Sequence, residues 1–211
     1  PEPDGRVSLF VRDRRDSSVE EIGRLQKSAP VLCVDDLGPG RETADYAIDL
    51  LPNPYTAAPT EQSGRGLFLY GYDFCSALEK LGDAVIEKSL DFTVYAGSSP
   101  TDEYVDFLVS LIPPDSRFAV FRGTGSFMRD GSTTKAVGRD DYARLLLSSR
   151  VLISHFGIAL YEARAASCRL VAINPSQYHS RLCDIAPADL GIQNLGTRDT
   201  LDAAAAATAI R

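Results

Sequence analysis

One segment, VLISHFGIALYEARAASCRLVAINPS (Val151–Ser176), constrains the fold of this chain more than any other. It reads as a buried strand, a loop through Gly157, a helix carrying Glu162 and a second buried strand. Apolar runs of this kind are typical of strands that are covered on both faces of a parallel sheet. The loop brings the amino end of the helix to the carboxyl edge of the sheet, where backbone N–H groups and the helix dipole favour an anion. We therefore predict an α/β fold with a phosphate or other anion site at this edge.

The composition narrows the class of protein. With 211 residues, 44% of them hydrophobic, the chain can form one large domain or two small lobes. Its net charge of −7, with aromatic residues scattered rather than interleaved with lysine and arginine, argues against nucleic-acid binding. Because it contains no run of about 18 apolar residues and no signal-peptide pattern, we expect no membrane span and a cytoplasmic protein.

The cysteines and histidines argue against a metal centre. The four cysteines are Cys33, Cys75, Cys168 and Cys183. They are far apart and lack the C-x-x-C spacing of zinc and redox sites. With only two histidines, His155 and His179, a His/Cys cluster would be hard to assemble. We predict reduced thiols in or near the core, no structural metal and no cofactor.

The amino-terminal residues predict part of a βαβ lobe. Val7–Val11 reads as a strand. Either Ser17 or Ser18 can cap the helix that follows, because Glu20 and Glu21 stand at the spacing of a capping box. Two further strands are predicted, at 31–34 and 46–50.

Two charged segments in this lobe allow a functional and a structural interpretation. Asp35 and Asp36 could form a metal or acid/base pair, but they read better as helix caps and turn formers. The run Arg12–Asp16 could clamp a phosphate, although a self-neutralising charged turn is the simpler interpretation.

We divide the chain into a partial α/β lobe (1–51), a linker rich in proline and glycine (52–66), a Rossmann-like lobe (67–197) and a C-terminal helix (198–211). Strands are predicted in the Rossmann-like lobe at 91–96, 118–121 and 170–173, besides the one that begins at Val151. Helices are predicted at 101–111 and 141–149. The segment from Gly123 to Gly138 is predicted to be a long surface loop. Repeated strand–helix–strand units imply a parallel sheet.

Three segments, in this order, carry a family resemblance: CVDDLGPGRETADYAIDLLPNPY, LFLYGYDFCSALEK, and VYAGSSPTDEYVDFLVSLIP followed by the ISHFG-x4-EA helix. They are similar to the UDP-deoxysugar hydrolases of pseudaminic acid biosynthesis and the related spore-coat polysaccharide proteins. Those proteins share the GT-B architecture of nucleotide-sugar glycosyltransferases. The likeness runs from roughly Val31 to Gly196. It implies Rossmann-like parallel sheets of the GT-B type, with a partial first lobe and a complete second lobe.

By this resemblance, two loops of the second lobe bind a nucleotide diphosphate. The predicted site residues are Gly97, Ser98, Ser99, Ser154, His155, Gly157, Ile158 and Glu162. The resemblance implies that Glu162 binds the ribose hydroxyls, and its place about 7.5 Å along the helix from Gly157 is compatible with this. Each feature also has a purely structural interpretation. Glu162 can be an exposed helix glutamate, Gly97 a tight turn, and His155 a residue oriented by the loop or the core.

A further group follows the strand that ends at Asn174-Pro175. Gln177, Tyr178 and His179 are predicted to contact the sugar or the base. The alternative is a polar loop that caps a helix at 179–186.

The chain departs from the family near its amino end, where the hydrolases carry a histidine in a glycine-rich loop. This sequence has no G-x-G-H segment, and it starts where the first lobe of the family is half complete. The chain is therefore either a fragment or a protein with a reduced first lobe. No catalytic residue is carried over, and we expect no hydrolysis by the isolated chain.

Three functions remain open, all with a UDP- or CMP-linked sugar as the ligand. The first is a protein of surface polysaccharide or nonulosonic acid biosynthesis that resembles the hydrolases. The second is the donor-binding half of a glycosyltransferase. The third is a non-catalytic nucleotide-sugar-binding or assembly module, which predicts a protein partner or a homo-oligomer.

Overall fold

The computed structural model describes residues 7–52, 66–68 and 86–210, and these fall in two compact units that divide between Asp73 and Phe74. The predicted linker, residues 52–66, lies almost wholly outside the described residues, and Gly66 at its end begins a strand of the first unit. Cys75 also lies outside them. The other three cysteines are buried free thiols, as predicted.

A four-stranded parallel sheet forms the first unit. Its elements are β1 (Phe10–Asp13), α1 (Val19–Leu25), β2 (Val31–Val34), a 3-10 helix (Pro39–Thr43), β3 (Tyr46–Asp49) and β4 (Gly66–Phe68). One face of the sheet packs on α1 through Ile22, Val31 and Cys33. The strand predicted from Val7 is wrong at its start, because pairing with β2 begins only where the N–H of Phe10 donates to Pro30.

The helix α1 begins with a complete capping box at Ser18. The Ser18 hydroxyl accepts from the N–H of Glu21 at 3.2 Å, and the Glu21 carboxylate accepts from the N–H of Ser18 at 3.1 Å. The alternative cap, Ser17, has another role, because its N–H donates to Asp36.

We expect Ser18→Ala to lower the free energy of unfolding of the first unit by about 1 kcal/mol, since it removes the side-chain acceptor at the start of α1. Urea unfolding followed by circular dichroism measures the change. Ser28→Ala, at an exposed position beyond the helix, serves as the control and should change stability by less than about 0.5 kcal/mol. Equal effects of the two substitutions would contradict a specific capping role.

Both charged segments of the first unit are structural. The Asp36 carboxylate accepts from the N–H of Ser17 and from that of Gly38, and the Asp35 carboxylate accepts from the N–H of Leu50. Asp36 thus forms the predicted turn through Gly38, whereas Asp35 joins its turn to the end of β3, and neither residue caps the 3-10 helix that follows. In the run from Arg12, the guanidinium groups of Arg12 and Arg14 lie 3.5 Å and 3.2 Å from the Glu21 carboxylate of α1, so these two arginines pair with a helix residue outside the run.

The second unit contains a seven-stranded mixed sheet in the order β11-β10-β9-β5-β6-β7-β8. Its strands are β5 (Leu90–Tyr95), β6 (Phe118–Phe121), β7 (Phe127–Asp130), β8 (Thr133–Ala136), β9 (Ser149–Ser154), β10 (Arg169–Asn174) and β11 (Ile192–Thr197). Its helices are α2 (Asp102–Ser110), α3 (Tyr142–Leu147), α4 (Ile158–Ala165), α5 (Gln177–Ile185) and α6 (Ala203–Ile210), with 3-10 turns at Arg139–Asp141, Ala188–Leu190 and Arg198–Thr200. The five strands from β11 to β6 are parallel, and β7 and β8 are antiparallel.

The prediction of a long loop from Gly123 to Gly138 is wrong, because β7 and β8 form a hairpin there. The side chains of both strands are half-buried or exposed, so the sequence shows no clear alternation of apolar and polar residues. Phe127 packs against the core on one face of the sheet and Met128 packs against the core on the other face. The hairpin is held by its pairing with β6, which short-range patterns do not reveal.

The two faces of this sheet are covered by different helices. On one face, α2 and α6 pack on alternate residues of the strands, such as Val94 and Ile153. On the other face, Leu145 of α3 packs on Leu90 and Phe121. The second unit is therefore a Rossmann-like α/β fold, which confirms the predicted fold class. None of the described helices has the length and apolar character that a membrane span requires.

Candidate functional site

The order of the strands places a topological switch point between β5 and β9. From β5 the chain passes through α2 to β6 on one side, and it later returns to β9 and continues through β10 to β11 on the other side. The helices that follow β5 and β9 leave on opposite faces, since α2 packs on Val94 whereas α4 bonds to α3 through Glu162 and Tyr142. Open α/β sheets bind ligands in the crevice that such an arrangement leaves at the carboxyl ends of the strands.

A cleft of about 460 Å³ lies at this place. It is lined by Ala96, Gly97, Ser98, Ser99, Pro100, Thr101, Tyr104, His155, Pro175, Arg198 and Asp199. Four of these residues belong to the predicted nucleotide site: Gly97, Ser98, Ser99 and His155. The two loops that the sequence singled out, one after β5 and one after β9, thus meet at one cleft.

The loop after β5 is shaped by two glycines. Gly97 has a φ of +99°, and a Cβ atom there would lie 3.0 Å from Nε2 of His155. Gly123, at the end of β6, approaches the same loop so closely that a Cβ atom would lie 1.9 Å from the carbonyl oxygen of Ser98. The peptide of Ser98 therefore rests on Gly123, and the side chains of Ser98 and Ser99 are exposed.

Asn174, which is fully buried at the end of β10, fixes the loop after β9. Its Oδ1 accepts from the N–H of Phe156 at 2.9 Å, and its Nδ2 donates to Asn194 and to the carbonyl of Gly196. In the same loop, Nδ1 of His155 lies 2.9 Å from the carbonyl oxygen of Phe156. The sequence analysis missed the role of Asn174, because its partners are about 20 residues away in the chain.

Neither helix that begins beside the cleft has a side-chain cap. Gly157 precedes α4 in an extended conformation with no side chain to offer, and the exposed Ile158 opens the helix. At α5, the Ser176 hydroxyl lies 2.8 Å from Nδ1 of His179 instead of accepting from the backbone. The first N–H groups of both helices are therefore not bonded by a capping side chain, as at known anion sites.

Four of the eight predicted nucleotide-binding residues are not part of the lining of the cleft: Ser154, Gly157, Ile158 and Glu162. Ser154 is fully buried, and its hydroxyl donates to the carbonyl of Tyr95 at 3.0 Å, which joins β9 to β5. The Glu162 carboxylate accepts from the Tyr142 hydroxyl at 2.9 Å on the α3 side. Burial raises the pKa of Glu162, and the hydrogen bond from Tyr142 partly opposes this. The ribose role of Glu162 stays a prediction.

The residues predicted to contact the sugar or the base lie in the first turn of α5. The helix that the alternative predicted at 179–186 is present, but it begins two residues earlier, at Gln177, so these residues are helical and do not form a loop. The rings of His179 and His155 lie 5.4 Å apart in an edge-to-face arrangement, and the ring of Tyr178 lies against His179. The fold thus brings the two histidines of the chain together beside the cleft.

Sequence analysis did not predict two further residues of the cleft lining, Arg198 after β11 and Tyr104 of α2. Arg198 follows β11, is exposed, and places its guanidinium carbon 5.6 Å from the ring centre of Phe107. Tyr104 of α2 donates to the carbonyl of Ile173 at 2.7 Å, and burial raises its pKa. Only the weak strand pattern of IQNLGT could have predicted that β11 delivers Arg198 to this edge.

These groups suit an anion that carries hydroxyl groups. A guanidinium, an imidazole, two serine residues and the Asp199 carboxylate line the opening, and the uncapped helices α4 and α5 begin at Ile158 and Gln177, just after His155 and Pro175 of the lining. The part of the chain that the structure describes shows no cluster of His, Cys, Asp and Glu that could hold a metal ion. No known family model and no curated protein matches this sequence.

Proposed function

We propose that the second unit binds a nucleotide-linked sugar, UDP- or CMP-linked, in the cleft between β5 and β9. The observation that carries this proposal is the meeting of the Gly97–Ser99 loop and the His155 loop at the switch point of a parallel sheet. In such sheets a phosphate is held by backbone N–H groups of the loop and of the helix that follows. The volume of about 460 Å³ lies within the range of about 300–1,000 Å³ for small-molecule sites.

One guanidinium supports an anionic ligand in spite of the acidic composition and of Asp199, which also lines the cleft. The whole chain carries a net charge of −7, so it does not attract anions in general. At the cleft, however, Arg198 supplies a permanent positive charge and a planar set of donors that matches phosphate oxygens. The anion is thus held by local groups.

The sugar would lie toward α5 in this proposal. Ser176 and His179 open that helix next to His155, and their polar atoms suit sugar hydroxyls. Tyr178 adds an aromatic ring beside them. The proposal would use the predicted sugar or base contacts at Gln177, Tyr178 and His179, which lie beside the lining of the cleft and not in it.

Hydrolysis, transfer and simple binding would all use this cleft. The resemblance favours a place in surface polysaccharide or nonulosonic acid biosynthesis. These three functions can be distinguished by incubating the chain with a nucleotide sugar, with and without an acceptor. The release of free sugar and of free nucleotide is then measured. A stable complex with a second protein and no turnover would favour the module.

We expect titration calorimetry to detect binding of UDP, CMP or dTDP sugars, and Arg198→Gln to weaken the tightest of them about tenfold or more, because a charge-assisted hydrogen bond to phosphate is lost. Arg164→Gln is the matched control. Arg164 is an exposed arginine in the last turn of α4, at the opposite end of the sheet from the cleft. Absence of heat with every nucleotide and nucleotide sugar, or equal losses in the two variants, would refute the proposal.

A further inference from the structure

The hydrogen bond of His155 within its own loop fixes which ring nitrogen carries the proton. Its Nδ1 lies 2.9 Å from the carbonyl oxygen of Phe156. A carbonyl oxygen only accepts hydrogen bonds, so Nδ1 must be the donor. In the neutral ring the other nitrogen, Nε2, then has a lone pair and no hydrogen.

That second nitrogen faces the cleft. His155 lines it, and Nε2 is the atom that a Cβ on Gly97 would meet at 3.0 Å. A lone pair at this place repels a phosphate oxygen but accepts a hydrogen bond from a hydroxyl group. The protonated ring presents an N–H instead, which makes a charge-assisted hydrogen bond to phosphate.

We propose that His155 binds a phosphate of the ligand only as the imidazolium, so that ligand binding takes up one proton from solution. This inference rests on the proposed function, and it assigns the chemical group that contacts Nε2. A ligand that placed a sugar hydroxyl there would bind to the neutral ring and take up no proton. The proton balance therefore reports which part of the ligand lies on His155.

The surrounding groups limit the uptake to one proton. The titratable or charged side chains on the elements around His155 are Tyr95, Tyr104, Glu162, His179, Arg198 and Asp199. Arg198 and a charged His179, whose ring is 5.4 Å away, both oppose additional positive charge. Asp199 also lines the cleft, and Glu162 bonds to Tyr142 on the far side. Bound phosphate supplies the negative charge that pairs with the new proton on His155.

The sign of the pH dependence follows from linkage. A group that is more protonated in the complex than in the free protein favours binding at low pH. Affinity should therefore be highest at low pH. It should then fall as pH rises, approaching a tenfold loss for each pH unit, which is the slope for one proton.

Titration calorimetry with UDP-N-acetylglucosamine, or the tightest nucleotide sugar of the panel, tests this inference on the full chain. Both phosphates of such a ligand are esterified, so the ligand itself exchanges no proton near neutral pH. At pH 7.5 the measured enthalpy should differ between Pipes and Tris buffers, neither of which contains phosphate, by up to the difference between the ionisation enthalpies of the two buffers. The affinity should also fall between pH 6.5 and 8.5.

Two matched variants distinguish the contribution of His155 to proton uptake from that of His179. His155→Gln keeps a donor at the cleft but cannot titrate, so proton uptake and pH dependence should disappear. His179→Gln should retain both. Binding by the native chain with no proton uptake would overturn the inference and leave the proposed function standing, as would uptake that persists in His155→Gln. Absence of binding by the native chain would contradict the proposed function as well.

Discussion

Asp49→Ala is expected to lower the free energy of unfolding of the first unit by about 3–5 kcal/mol, because it breaks a buried ion pair. The side chains of Asp49 and Arg41 are 3% and 9% exposed, and they form an ion pair at the end of β3. Among the described residues, Nε of Arg41 has no hydrogen-bond partner. Removal of the carboxylate would thus leave a poorly solvated guanidinium. Urea unfolding followed by circular dichroism measures the loss.

Replacing both members of this ion pair with apolar residues should change the free energy of unfolding only a little. Burial raises the pKa of Asp49 although Arg41 lowers it, so the cost of desolvating the carboxylate exceeds the attraction. Because the folded state holds this proton more tightly than the unfolded state does, the contribution of Asp49 becomes less favourable as pH rises through the titration. The double variant R41M/D49L should therefore be within about 1 kcal/mol of the native chain, or more stable.

An exposed pair provides the control for Asp49→Ala. Asp130 and Arg117 lie 3.1 Å apart, with side chains 51% and 45% exposed. Asp130→Ala should cost no more than about 1 kcal/mol, because water already solvates both charges. If Asp49→Ala and Asp130→Ala had equal effects, or if the double variant R41M/D49L were as unstable as Asp49→Ala, the description of a costly buried charge would be wrong.

Gly123→Ala is expected to displace the loop after β5, with a loss of stability of about 1–3 kcal/mol and a loss of ligand binding. The added methyl group would lie 1.9 Å from the carbonyl oxygen of Ser98, which is a backbone atom and cannot rotate away. The Gly97–Ser99 segment must then move, and with it the wall of the cleft. Thermal unfolding and calorimetric titration with the tightest nucleotide sugar measure the two effects.

Gly138→Ala tests whether the effect is specific to that contact. Gly138 is exposed, has a φ of −88°, and has no atom closer than 3.8 Å to the position of an added Cβ. Its replacement should change stability by less than about 0.5 kcal/mol and leave binding intact. If Gly123→Ala bound the ligand as tightly as Gly138→Ala, the loop after β5 would not be part of the site.

Local patterns predicted the elements that carry a strong periodicity. The strand at 118–121 and the helices α2 and α4 were found, because apolar spacing and capping residues act over a few positions. The hairpin of β7 and β8 was missed, since its side chains are mostly exposed and carry no clear alternation. Likewise, β11 was missed because every residue of IQNLG is only partly buried.

In the candidate site, too, some residues were predicted from the sequence and some contacts were not. Gly97, Ser98, Ser99 and His155 were predicted by resemblance, and they follow apolar strands whose carboxyl ends meet at one edge of the parallel sheet. Glu162 was placed at the ribose by resemblance, whereas in the structure its carboxylate accepts from Tyr142. Sequence spacing gives the position of a side chain along a helix but not the neighbour that it meets across the sheet.

By itself, then, the sequence determined the α/β class and the two loops that carry the candidate anion site. These depend on hydrophobic periodicity, turn residues and caps, which act between near neighbours in the chain. Only the tertiary structure decided which loops adjoin, and so it brought His179 to His155, Arg198 to the cleft and Gly123 under Ser98. The physical reason is that strand order and close packing join residues that are 20 or more positions apart, and no local pattern encodes those contacts.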